Sequence, residues 1–441
     1  NPEWTRAFAT QPEIHSYLKD VTHKHDLLPH IRYGHHLTSA NFDDSRCEWT
    51  LGFGNGNEVR AKNVVLGIGG LHIPQKPQFD GAETFTGPQF HSAEWNHDID
   101  LTGKKVAVIG TGASAIQIIP AIADKVEKLY SFQRTAPWVM PKPDREYSER
   151  EKALFAKVPF VQEVSRSVIY NQHEVRFVAF RYVKPLLKGM ELVARHNINK
   201  AIKSRALRRK VTPTFDMGCK RVLISNDYYP ALAKRNVDVV TARIGSITEN
   251  AVKDSGGKEY EVDVIIYATG FKTVDAIANM NFSGRNGLTI QDAWANGAES
   301  YMGIHTAGFP NAYFLMGPNT GLGHNSMVYM IESQIQYVAD ALKQARAKNW
   351  SLVDVKPEAQ RGFGGRHQGA MKSTVWASGC QSWYLDEQGR NWTLWPGFTF
   401  AYRAMTRRFD ATVCEVQNEH KVAKVKRGPF ARLTASLLAA A

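Results

Sequence analysis

Apolar residues fall into two rhythms along the chain, and the changes between them mark its organisation. Residues 12–18 carry Ile14, Tyr17 and Leu18 at helical spacing and predict a helix close to the N-terminus. Residues 47–52 and 58–68 read as strands, joined by Gly54-Asn55-Gly56-Asn57, a cluster able to supply the positive φ of a tight hairpin. Gly67, Gly69 and Gly70 follow an apolar strand, but Pro74 and Pro77 stand where a helix would have to open. This stretch is expected to be an exit into a linker and not a nucleotide loop. From Lys104 the pattern becomes strand (KKVAVIG), glycine turn, helix (SAIQIIPAIADK), strand (KLYSFQR), the text of a βαβ unit. Residues 144–210 are charged and helical in period, and they interrupt an α/β pattern that resumes near Val237 and includes a strand at 262–268. They are expected to form a helical insertion.

At 441 residues, two or three domains are expected, and 43% hydrophobic with 22% charged residues is ordinary globular composition. No apolar run reaches the roughly 20 residues of a membrane span, and no basic-then-apolar leader opens the chain, so a cytoplasmic protein is expected. The net charge of +13 concentrates at 203–210 (KSRALRRK) and 421–427. No nucleic-acid reading motif accompanies it, and no nucleic-acid partner is expected. For the insertion a solvated face packed on its own domain is favoured, with peripheral membrane contact as the alternative. The tail at 433–441 is expected to fray. Cys47, Cys219, Cys380 and Cys414 lie too far apart for a CxxC pair or a four-thiolate zinc site. His23, His25, His35 and His36 have no acids at ligand spacing, and no metal is assigned to them.

The chemistry begins at Gly110-Thr111-Gly112-Ala113-Ser114-Ala115, a G-x-G-x-x-A pattern between strand and helix. The first glycine allows the tight turn and the second lets a pyrophosphate reach the backbone. A small third residue lets helix and strand pack closely. At the end of the next strand, where an NAD site wants a carboxylate for the ribose 2′-hydroxyl, the chain offers Gln133-Arg134-Thr135. A guanidinium there pairs with a 2′-phosphate, so NADP is preferred.

Ahead of this unit stands Phe85-Thr86-Gly87-Pro88-Gln89-Phe90-His91-Ser92-Ala93-Glu94-Trp95. Its anchors Phe85, Gly87, His91 and Trp95 resemble the F-x-G-x-x-x-H-x-x-x-W fingerprint of the Baeyer–Villiger monooxygenases; Asn96 stands where the family has Pro or Asp. The resemblance extends over nearly the whole chain. Met217-Gly218-Cys219-Lys220-Arg221 resembles the family's catalytic-arginine region, which implies Lys220 at the 2′-phosphate and Arg221 over the flavin. Residues 263–271, with Ala268-Thr269-Gly270, are similar to the strand-ending ATG motif. Gly317-Pro318-Asn319 through Met327 is similar to the segment near the flavin ring, and Trp383 falls where a family Trp contacts NADP.

The fold implied is α/β with two dinucleotide-binding, Rossmann-like domains. The FAD domain is expected to lack its first βαβ unit, since Asn1-Pro2-Glu3-Trp4 resembles a segment well inside that domain of the family. The expected division is 1–84 for the remainder of the FAD domain, 85–100 for the fingerprint linker, 101–268 for the NADP domain and 269–441 for the rest of the FAD domain. The implied activity uses NADPH, FAD and O2 to insert one oxygen atom into a ketone through a C4a-peroxyflavin, giving an ester or lactone. A flavin monooxygenase acting on a sulfide or amine is the alternative reading within enzymology. An NADP-binding fragment without a working flavin site is the alternative outside it.

Overall fold

Five parallel strands in the order Val237–Val240, Lys128–Phe132, Lys105–Ile109, Val264–Tyr267, Gln89–His91 form the central sheet of the nucleotide-binding half. The structure is a computed structural model that describes residues 1–272, 280–380, 382–386 and 388–418. The basic run at 421–427 and the tail at 433–441 lie outside the described residues.

Strand Lys105–Ile109 is buried on both faces, as a parallel sheet requires, and its side chains alternate between two cores. Val106 and Val108 join Ile116, Ile119 and Ile122 of helix Ala115–Ile122. Ala107 and Ile109 join Ile247, Val252 and Tyr260 of a three-stranded antiparallel sheet, Ile244–Ile247, Ala251–Asp254 and Glu259–Glu261, on the opposite face. Period-two patterning thus closes the sheet with a helix on one side and a small sheet on the other.

The other half is built on a four-stranded sheet ordered Asn281–Ser283, Leu37–Asp43, Glu48–Phe53, Glu58–Ala61. The expected hairpin is present between the last two strands, with Gly56 at φ +81° in the turn. Trp49 anchors this core, stacked on Phe282 at 4.8 Å with its Nε1–H donating to the Pro310 carbonyl at 2.8 Å. Strand Val64–Leu66 pairs in parallel with Ala312–Phe314, which leads toward helix Met327–Lys348.

The two chain crossings between the halves run side by side. The Gln75 N–H donates to the Gly270 carbonyl at 2.9 Å and the Lys272 N–H to the Ile73 carbonyl at 3.0 Å. Thr269 Oγ1 also donates to the Gln75 carbonyl.

Residues 144–210 form helices Glu149–Lys157, Pro159–Arg181, Pro185–Ala201 and Arg205–Val211. Ser148 and Glu151 make a reciprocal capping box on the first, and Pro159 and Pro185 open the next two, where a missing N–H costs nothing. The long helix Pro159–Arg181 buries residues only in its last third: Glu174, Phe177, Ala179 and Phe180. That end carries the insertion to the site described next.

Candidate functional site

The glycine turn lies at the carboxyl end of the central strand, where ligands of open parallel sheets bind. Gly110 has φ +127°, and a Cβ there would meet the Ala268 carbonyl oxygen at 2.2 Å. Only glycine permits that approach. A Cβ on Gly112, by contrast, would meet nothing within 4 Å, so the backbone is open from that side to a pyrophosphate. Ala113 is exposed and Ser114 half-buried at the mouth of the helix, while Ala115 is fully buried against the sheet. Thr111 Oγ1 donates to the Thr135 carbonyl at 3.1 Å, tying the turn to the end of the next strand.

Arg134 stands exposed at that strand end. Lys220, 86 positions further along, is half-buried with Nζ 5.0 Å from the Phe215 ring centre. Burial lowers the pKa of Lys220 and the charge of Arg134 lowers it further. A second cation whose charge is felt at Lys220 favours a shared anion, which is the electrostatic requirement of a ribose 2′-phosphate.

Arg221, the next residue, is exposed. Its charge acts on a different neighbour, the buried Tyr384, whose hydroxyl is pushed up to about 12 by burial with Arg221 opposing. The two consecutive cations therefore have different neighbours. Trp383, 46% exposed, lies against Tyr384 with ring centres 4.5 Å apart. Tyr384 belongs to a buried cluster with Phe177, Phe180, Val375, Trp376 and Leu394. Gly218, at φ +92°, packs against Phe180 and Val375 of the same cluster.

The segment ending at Met327 meets that cluster from the other side. Met327 opens helix Met327–Lys348 and packs, half-buried, on the C-terminal core. His324 stacks near Phe177 at 4.9 Å, and neither of its ring nitrogens has a hydrogen-bond partner. Burial, followed by His173 and Arg176, lowers its pKa to about 3, so the ring is neutral. Its Nε2 is 3.8 Å from Glu174, whose carboxylate accepts from Asn325 Nδ2 at 2.6 Å and from the Thr399 N–H at 2.5 Å. A buried imidazole without partners, in the segment that resembles a flavin-ring contact, fits a polar ring system placed beside it.

The fingerprint residues surround the crossings between the halves. Phe85 is buried beneath the antiparallel sheet, and a Cβ on Gly87 would meet the Asp263 carbonyl oxygen at 2.2 Å. His91 ends the edge strand opposite Tyr267 and is fully buried. Its Nδ1 accepts the Ala93 N–H at 3.1 Å, and its ring meets Phe271 edge-on at 5.5 Å. Burial lowers its pKa against the opposing influence of the Gly270 backbone and Glu94. Trp95 covers the sheet edge through an edge-on contact with Phe90 at 5.2 Å. His91 thus sits beside Gly270 and Phe271, where the chain crosses between the halves.

Tyr384, Phe177, Phe180, Glu174 and His324 were not legible as site residues. The polar Glu174 on the same helical face as Phe177 was the one available signal: a carboxylate in an apolar stripe needs a partner. Spacing also gave no hint that Cys219 pairs with Cys380 as a disulfide, with 6.2 Å between the Cα atoms. Among the described residues no helix is long and apolar enough to cross a membrane.

Known proteins resemble this chain in sequence and fold. A family model described as flavin-binding monooxygenase-like matches residues 2–276. A Baeyer–Villiger monooxygenase of Pseudomonas aeruginosa is 48% identical over 414 residues, covering 93% of this chain and 79% of that protein. One of Streptomyces coelicolor is 43% identical over 418 residues, covering 94% and 80%. Among solved structures, the NADP+-bound cyclohexanone monooxygenase of Rhodococcus sp. Phi1 superposes with a TM-score of 0.84 at 26% identity, covering 94% of this chain and 86% of that one.

Proposed function

The chain belongs to the flavin-binding monooxygenase-like family, and from that premise we propose that it is a Baeyer–Villiger monooxygenase that uses NADPH, FAD and O2 to convert a small ketone into an ester or lactone. The observation that supports the reading is the glycine turn, where Gly110 lies tight on the Ala268 carbonyl and Gly112 stays open, with Arg134 exposed at the end of the next strand.

In this reading Gly110 to Ala115 hold the pyrophosphate of NADP, with Thr111 fixing the turn to Thr135. Arg134 and Lys220 clamp the 2′-phosphate from two sides. Trp383 would cover the nucleotide, and the segment ending at Met327 would hold the flavin. FAD, when bound, would supply the redox chemistry that activates dioxygen. Arg221 supplies fixed positive charge where the substrate carbonyl oxygen becomes anionic. Such charge is most effective when it is in place beforehand and water is excluded. Tyr384, the buried neighbour that feels the Arg221 charge, is packed with Phe177, Phe180 and Trp376 in one apolar cluster.

Incubation with NADPH and either a cyclic ketone or an organic sulfide tests the proposal. Lactone formation from the ketone supports it. Sulfoxide formation with no lactone would assign the chain to sulfur or nitrogen oxygenation instead.

A further inference from the structure

Cys219 and Cys380 are 161 residues apart in sequence, and each stands at the root of a segment the proposed function uses. Cys219 is buried, and Lys220 and Arg221 follow it directly. The segment before it is pinned: the Met217 N–H donates to the Glu191 carboxylate at 3.2 Å, and Lys188 bridges Glu191 and Asp216. Cys380 is half-buried after three exposed residues, with Gly379 at φ +92°, and Trp383 and Tyr384 come just beyond it. The disulfide therefore joins a fixed point to the base of an exposed loop.

We propose that the Cys219–Cys380 disulfide is a thiol-reducible clasp that positions Trp383 against the Lys220-Arg221 segment and thereby sets the affinity for NADP+. The inference rests on the nicotinamide reading of the site. The Cα separation lies within the ordinary range for disulfides. The more accessible sulfur is that of Cys380, so an incoming dithiol attacks there and Cys219 leaves as a thiolate, favoured by the adjacent cations. A second attack by the dithiol releases Cys380. The disulfide gains two electrons and two protons to become two thiols, and the dithiol loses the same to become a cyclic disulfide. Oxidised dithiol reverses the exchange. Once freed, Trp383 and its neighbours have to be ordered each time nucleotide binds, which weakens binding roughly three- to thirtyfold.

The test uses the purified full chain. Alkylation without reductant followed by peptide mapping is expected to find a Cys219–Cys380 linked peptide, with Cys47 and Cys414 free. Titration of NADP+ is expected to give weaker binding after dithiothreitol treatment, restored by oxidised dithiothreitol. The Cys380→Ser variant should bind like the reduced protein and ignore dithiothreitol. Alkylation of all four cysteines, or equal NADP+ affinity in the two redox states, overturns the clasp. Absence of NADP+ binding in both states overturns the nicotinamide reading and the clasp with it. Neither readout depends on ketone oxidation, so an inactive oxygenase still returns an answer.

Discussion

Removing Arg134 probes the nucleotide site with an internal control, because NADPH and NADH differ only in the 2′-phosphate this residue is assigned to hold. Arg134 is exposed and Lys220 half-buried, so the phosphate meets one guanidinium near water and one ammonium in a drier setting. A hydrogen bond to a charged group contributes about 1.5–3 kcal/mol, and the exposed position places Arg134→Ala near the lower end. The expected rise in KM for NADPH is roughly tenfold to thirtyfold, at about 1.4 kcal/mol per decade. Lys220 complicates the count in a useful direction. With Arg134 gone, Lys220 is the cation that still faces the 2′-phosphate and recovers part of the loss. The double variant Arg134→Ala, Lys220→Ala should therefore lose more than the two single losses added together. Initial rates of cofactor oxidation at varied NADPH and NADH measure all four proteins. NADH constants should move less than about threefold, since no phosphate contact is lost. Equal loss with both cofactors, or a double variant no worse than either single one, refutes the reasoning.

Three further outcomes are expected. Arg221→Ala should keep NADPH binding but lower ketone oxygenation by about a hundredfold or more, as removal of one preorganised charge does; unchanged product formation would take the role from this residue. Gly110→Ala forces a Cβ onto the Ala268 carbonyl at positive φ, and thermal denaturation should report a loss of about 1–3 kcal/mol, with Gly112→Ala much milder because its Cβ enters open space. His305, His324 and His367 are buried and held neutral, with pKa values of about 3, 3 and 4 against an ordinary 6.5. Their folded values are depressed, so the stability they carry is present above pH 6.5 and is lost as pH falls toward 4. The unfolded chain then binds up to three more protons, a slope of about 4 kcal/mol per pH unit at its steepest. Asp354, raised to about 6 by burial, works in the opposite sense between pH 4 and 6 but offsets only one proton. Melting temperatures should fall steeply from pH 7 to pH 5, and a flat profile would contradict the burial of these rings.

The parallel unit around Gly110 was readable because its signals are local: a five-residue apolar strand, a glycine turn and a periodic helix lie within 20 positions. The helical insertion was readable for the same reason, through period and charge. The antiparallel sheet of residues 244–261 was not separated from the α/β text, since its strands are three or four residues long and alternate only weakly. The site itself is an affair of long-range contact. The charge of Arg134 is felt at Lys220 and that of Arg221 at Tyr384, and Glu174 meets Thr399 across 225 positions. Periodicity carries no information about such partners. The fingerprint supplied the positions of Phe85, Gly87, His91 and Trp95, and the structure adds why they are needed: a buried ring, a backbone approach of 2.2 Å, a crossing point and a covered sheet edge.

In the proposed reaction one oxygen atom from O2 enters the carbon–carbonyl bond of a ketone. Supplying the FAD-loaded protein with NADPH, a cyclic ketone and 18O2, then analysing the product by mass spectrometry, tests that step directly. The account predicts a lactone carrying a single 18O, with about one NADPH consumed per lactone. A lactone without label, an alcohol in place of lactone, or NADPH oxidation that yields only hydrogen peroxide would contradict it.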